Sequence, residues 1–375
     1  MATELACNHI YGNFINPNDV DPAWDIRGIL KPEKKYNGLG PYYVDENESV
    51  PKEKVVLKRR HSWRDDLDFH KPKMDKIVLT LIADPQTAII ALKKGEINFI
   101  NRYNSPTMDS LLELEKNPDI SIKSRTSSNT YFISTAHWKE PFNGSDGILL
   151  RKAINYALDR EEIAEGAFFG YATPATDTMF LSPLLPDVPE CCHKGYEYNI
   201  DKAKQILSDA GWKDADGDDI LDKNGESLKD FNLVISSASG LNWMPDTAVM
   251  VQSQLKKVGI DVKIQTLEPN LFSEAQKNGN FNLKLDYTRP NPMTFQLKLF
   301  NSSLIVSGTY NDSRYVNENN TLGNIVHQAG IATREDERNE DVCKACDILY
   351  DDAGIIPLVH PMEYAVISSK VKGYE

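Results

Sequence analysis

The acidic run DADGDDILDKNGE, residues 214–226, sets carboxylates at Asp214, Asp216, Asp218, Asp222 and Glu226 around a glycine. Oxygen ligands at alternate positions of a short loop are what a hard cation such as calcium collects. An EF-hand loop needs Gly at its sixth position and Glu at its twelfth; counted from Asp214, Gly217 comes fourth and Glu226 thirteenth. The sequence therefore favours a polar turn leading into the strand-like DFNLVISS, with calcium as the alternative.

Sulfur and imidazole offer softer chemistry. Cys191 and Cys192 are adjacent, Cys343 and Cys346 form C-K-A-C, and Cys7 stands alone, a pattern that sets out no disulfide framework. A helix through EDVCKACDILYDDAG would put Cys343 and Cys346 on one face, where they could act as a redox pair or hold a metal. A thioredoxin-like pair, however, should follow a strand and open a helix. His193 beside Cys192, together with His9 and His360, could supply borderline metal ligands; otherwise these are surface or packed side chains.

Enzymatic patterns are missing. The chain has no G-x-S-x-G elbow, no H-E-x-x-H pair, no G-x-x-x-x-G-K-[ST] phosphate loop and no G-x-G-x-x-G after a strand. A non-enzyme without a cofactor is expected. The formal net charge of −13 speaks against a nucleic-acid partner, which would require concentrated positive charge. One basic run, Lys54, Lys58, Arg59, Arg60, His61 and Arg64, reads as a solvated edge, with an anion or partner site as the alternative.

The elements that must position these residues are those of an α/β chain. In DPQTAIIALKKGEINFI, residues 84–100, Asp84 can cap a helix, Pro85 loses nothing at its start, Ala88, Ile89 and Leu92 share a face, and Gly95 can end it. The same order of helix, glycine and strand returns at 245–268, with Val249, Val251, Leu255 and Val258 as the apolar stripe, Gly259 as the stop, and Ile260, Val262 and Ile264 alternating. The spacing predicts the longest helix at about 147–165, its apolar face formed by Leu149, Ala153, Tyr156, Ala157 and Ile163. In SNTYFISTAHW, Tyr131 and Ile133 face one way and Phe132 and Ser134 the other. Four prolines between 172 and 190 make that stretch irregular, and YNDSRYVNENNTL reads as a loop. With 375 residues, two domains are expected. No run reaches the roughly 18 apolar residues of a membrane helix. MATELACNHIYGNF has no basic region followed by an apolar core; taken alone, that start reads as cytoplasmic.

Seven segments then occur together and in order: GLGPYYVDE, KMDKIVLTLIADPQTAIIALKKGEINFI, LLRKAINYALDREEIAEGAFFGYATPA, YNIDKAKQILSDAGW, DGDDILDKNGESL, VQSQLKKVGIDVKI and DDAGIIPLVH. Their order and spacing resemble the family 5 extracellular solute-binding proteins, the peptide-, dipeptide- and nickel-binding subunits of ATP-driven importers. The resemblance implies a two-lobed periplasmic-binding-protein type II fold with its first lobe incomplete: residues 1–134 as partial lobe 1, 135–352 as lobe 2, and 353–375 returning to lobe 1. Two crossing strands would be Tyr131–His137 and Ile355–Glu363. The resemblance also implies that Met1 is not the natural start. The complete protein would be an extracytoplasmic monomer that captures a small peptide or a nickel chelate and delivers it to an ABC permease. A ligand-sensing domain or a non-functional fragment is the alternative. By position in the family, Tyr287 would stack on the ligand and Arg289 would hold a carboxylate bidentately, with Trp243 as a further contact. Nickel-binding relatives carry a cleft arginine where this chain has CNHIYGNF without one, a departure that counts against anchoring a nickel chelate there; His9 in that stretch is a candidate ligand contact.

Overall fold

The computed structural model describes residues 41–60, 73–100, 107–127, 129–176, 188–238, 241–287 and 321–373. Cys7, His9, His61, Arg64, Arg289 and the first eleven residues of YNDSRYVNENNTL, 310–320, lie outside them, while its last two, Thr321 and Leu322, are helical rather than loop. The chain divides into two compact units, Met1–Ala88 and Ile89–Glu375.

In the first unit, β1 (Tyr42–Val44), β2 (Lys54–Arg59) and β3 (Lys76–Thr80) form an antiparallel sheet in that order. The charges of β2 are paired locally. Lys58 lies 2.6 Å from both Asp45 and Glu48, and Arg59 lies 2.9 Å from Asp75. Of the run's described members, Lys58 and Arg59 are thus ion-paired, and the Arg60 guanidinium lies 5.8 Å from the Tyr43 ring centroid. Helix α1 (Pro85–Lys94) starts where expected, because Asp84 Oδ1 accepts from the Thr87 N–H at 2.7 Å.

The second unit continues with β4 (Phe99–Ile100), α2 (Met108–Glu115), β5 (Ile120–Thr126) and β6 (Tyr131–Thr135), followed by α3 (Gly144–Ala157), α4 (Arg160–Phe168) and β7 (Ala172–Pro174). A 3₁₀ turn at Glu190–Cys192 precedes α5 (Ile200–Asp209), the small hairpin β8 (Asp222–Lys223) and β9 (Glu226–Ser227), and β10 (Phe231–Ser236). Then come α6 (Trp243–Lys256), β11 (Val262–Leu267), α7 (Pro269–Asn278), β12 (Leu283–Tyr287), α8 (Thr321–Ile331), α9 (Glu335–Asp351) and β13 (Ile356–Ser368). The main sheet runs β11-β10-β12-β6-β13; β10 is parallel to β11 and β12, while β6 is antiparallel to β12 and to β13. Strand β13 pairs first with β6 and β7 and then, from Met362 onward, with β5 and β4. The core lies around Ile133, Leu150, Leu233, Leu283, Leu285 and Ile356, all without solvent exposure.

The expected long helix is two helices. Leu158 turns extended at ψ 114°, and Asp159 accepts from the Glu162 N–H at 3.0 Å to cap a new start. Two expected core positions also move. Leu149 and Val249 are exposed, and Leu150 with Ile154 on α3, and Met244 with Ala248 on α6, are buried beside the expected Ala153, Ala157, Val251 and Leu255. At these two positions the neighbouring apolar residue takes the core side, because adjacent apolar residues leave the edge of a helical stripe open. Two buried arginines knit the sequence-distant parts. Arg160, 2% exposed, donates to the carbonyls of Pro357, Asn155, Leu158 and Tyr196, and Arg151 donates to those of Phe142, Asp352 and Ala353.

The cysteines overturn their sequence reading. Cys191 bonds Cys343 and Cys192 bonds Cys346, fastening the 3₁₀ turn to α9. They close a second, smaller core of Phe132, Leu322, Val326, Val342, Ala345 and Leu349. The pairing could not be read from spacing because the partners are 152 and 154 residues apart. On chain-entropy arithmetic either bridge alone removes on the order of 5 kcal/mol of unfolded-state freedom. The second then closes only the short ring through 191–192 and 343–346, roughly 2 kcal/mol.

Candidate functional site

The expected metal residues assemble only in part. Cys192 is oxidised into a bridge and offers no thiolate, and His193 is exposed beside it. His360 is buried, its Nδ1 3.0 Å from Thr130 Oγ1. Asp214, Asp216 and Asp218 do converge, with carboxylate oxygens within 4.8 Å, but Asp222 is outside this group, its backbone paired in the hairpin with Ser227 and with Lys213. The three carboxylates are occupied by the turn itself. Asp214 accepts from the N–H groups of Gly217 and Asp219, Asp216 from that of Asp218, and Asp218 from that of Ile220. Lys229, 2.7 Å away, hydrogen-bonds Asp218 and holds its carboxyl below the usual range. An ammonium thus supplies positive charge at Asp218, and the hydrogen bonds are those of a polar turn.

The aromatic candidates do come together. Tyr287 ends β12 and Tyr131 begins β6, and the antiparallel register places them directly opposite each other. Their rings meet edge to face at 6.4 Å and 80°. Trp243, the first residue of α6, stacks on Tyr131 with centroids 3.8 Å apart and planes 12° apart. Phe168 backs both rings, 5.8 Å from Tyr131 and 6.3 Å from Trp243. Trp243 is 7% exposed and its Nε1 donates to no described residue. Burial raises the Tyr131 hydroxyl above its ordinary pKa, so it is a neutral donor at physiological pH.

Topology explains why this cluster forms. Strands β10 and β12 run parallel, and Tyr287 with the start of α6 sits beyond or at their carboxyl ends. In open α/β sheets that edge is where ligands bind, because the strands end there and the connecting loops diverge. Sequence reasoning picked Tyr287 and Trp243 and missed Tyr131 and Phe168 as their partners. The only available signal was Tyr131 at the head of an alternating strand, which many core tyrosines share.

Residues 15–303 match the family profile described as bacterial extracellular solute-binding proteins, family 5 Middle. The chain belongs to this family. It is 31% identical over 313 residues to the oligopeptide-binding protein AppA of Bacillus subtilis (strain 168), covering 82% of this chain and 52% of that protein. It is 27% identical over 274 residues to the nickel-binding periplasmic protein of Escherichia coli (strain K12), covering 72% and 48%. The solved AppA structure from Bacillus subtilis, in complex with a nonapeptide, superposes with a TM-score of 0.67 at 26% identity, covering 98% of this chain and 68% of that one. The fold is therefore the periplasmic-binding-protein type II fold of family 5. The chain spans about half the length of the curated relatives it matches.

Proposed function

We propose that this chain is the ligand-capturing part of a solute-binding subunit for an ABC-type importer, taking a small peptide or a metal chelate and catalysing no reaction. The observation that carries the reading is the wall of Tyr131, Trp243 and Tyr287 at the carboxyl edge of the parallel strands in a family 5 chain. Flat aromatic faces with a few polar tips suit a peptide side chain or a chelating ring. Arg289, two residues past Tyr287, would pair with a ligand carboxylate.

In this reading residues 1–134 and 353–375 belong to one lobe and 135–352 to the other. Ligand would shift the population toward a closed form, because it binds that form more tightly. A membrane permease would be the partner, the protein would work outside the cytoplasm, and it would act as a monomer.

A thermal-unfolding series with di- to pentapeptides, and separately with nickel plus free histidine, tests this, since a ligand of the folded state raises Tm. A shift with one class identifies the cargo. A chain that melts cooperatively at the same temperature with every ligand overturns the capture role.

A further inference from the structure

We propose that Cys191–Cys343 is a thiol-exchange site for an external dithiol, while Cys192–Cys346 is the bridge that keeps the fold closed. The two cystines are adjacent, with Cys191 Sγ and Cys192 Sγ 3.9 Å apart, yet their surroundings differ. Cys192 and Cys346 are 0% and 1% exposed, inside the small core with Phe132, Val342 and Leu349. Cys191 and Cys343 are only half-buried, on the solvent side of the 3₁₀ turn and of α9. Exchange begins with a thiolate reaching a sulfur, so access separates the pair.

Connectivity makes either opening mild: the bridges span nearly the same length of chain, so while one stands the other closes only the ring through 191–192 and 343–346. Access alone therefore separates the two cystines, and opening the outer one leaves the fold fastened by the inner.

The step balances without any further reagent. One thiolate of the dithiol attacks a sulfur of the outer cystine, the S–S bond breaks, and the leaving cysteine departs as a thiolate that takes up a proton. The second thiol of the reductant then attacks the mixed disulfide and expels the other cysteine. The dithiol loses two electrons and becomes a disulfide, and Cys191 and Cys343 become thiols.

The test uses the full chain carrying Cys7→Ser, to remove the fifth thiol, and dithiothreitol as the dithiol in non-denaturing buffer. Samples are quenched with an alkylating agent and each cysteine is scored by peptide mass. Cys191 and Cys343 should label together, about tenfold or more faster than Cys192 and Cys346, while the chain still melts cooperatively. All four labelling at one rate, the inner pair labelling first, or no labelling before unfolding would each overturn the proposal. A Cys191→Ser/Cys343→Ser chain adds an independent check: it should fold and yield no labelled thiol in the same time window. Labelling at Cys192 and Cys346 in that variant at the wild-type outer rate would show that the outer bridge merely shields the inner one, against the proposal.

Discussion

Tyr131 holds the aromatic wall together, because Trp243 lies flat on one side of it and Tyr287 meets its edge. The three rings should nevertheless answer differently to truncation. Trp243→Ala empties a buried site and should cost about 3–5 kcal/mol in a urea melt. Tyr287→Ala removes a half-buried ring at a strand end, which should cost about 1 kcal/mol. If the wall contacts ligand, Tyr287→Ala should also weaken ligand binding by about tenfold in calorimetry, a loss out of proportion to its stability effect. Alkaline pH probes the same region. Burial raises the pKa of Tyr131 and Tyr196, so the folded chain keeps protons that unfolded tyrosines lose near pH 10. Their stabilisation is complete below that pH and declines above it. Arg160, lowered to about 10 by burial, opposes this, since above pH 10 the folded state holds fewer protons there than the unfolded one. The tyrosines outnumber it. Tm measured from pH 9 to 11 should therefore fall, and a level or rising curve would contradict the burial described for these rings.

Helix and turn boundaries were legible where a side chain announces them. Asp84 before Pro85 marks the start of α1 and accepts the expected N–H; Asn199 before Ile200 caps α5 in the same way, accepting from the Lys202 N–H. Asp159 is the same kind of signal, but the apolar period of Ile154, Ala157 and Ile163 runs straight through it, so one helix was read where two exist. The acidic turn keeps both of its readings for a local reason: backbone N–H groups and Lys229 bind its carboxylates, while Asp214, Asp216 and Asp218 still bring carboxylate oxygens within 4.8 Å of one another. Two glycines separate conformation from crowding. Gly217 has φ +86° with open space around it, so Gly217→Ala should cost about 1–2 kcal/mol for the left-handed backbone alone. Gly259 has φ +79°, and a Cβ there would sit 2.6 Å from Leu221 Cγ. Gly259→Ala should be clearly the worse of the two in paired urea melts, and equal losses would mean that Leu221 moves freely.

At the scale of the molecule, the order of the sheet could not be read from the residues, because pairing between strands far apart in sequence leaves no local pattern. The aromatic wall was half legible for the same reason: Tyr287 and Trp243 stood out, whereas Tyr131 became a partner only through register. Strand β13 carries the most consequence. Its 13 residues pair with β6 and β7 near Val359 and then with β5 and β4, and its first six are all buried. Hydrogen exchange should find its amides among the slowest in the chain, slower than those of β1–β3; fast exchange at Pro357–Pro361 neighbours would contradict its central role. Synthesis from the amino end gives this placement a timing. A ribosome delivers β4, β5, β6 and β7 long before residues 356–368 emerge, and until then those strands lack the neighbour that each of them shares. Arg151 and Arg160 also wait for carbonyls at 352–357. The nascent chain must therefore travel most of its length with open strand edges, and either a holding chaperone or rapid release has to protect it until the final strand arrives.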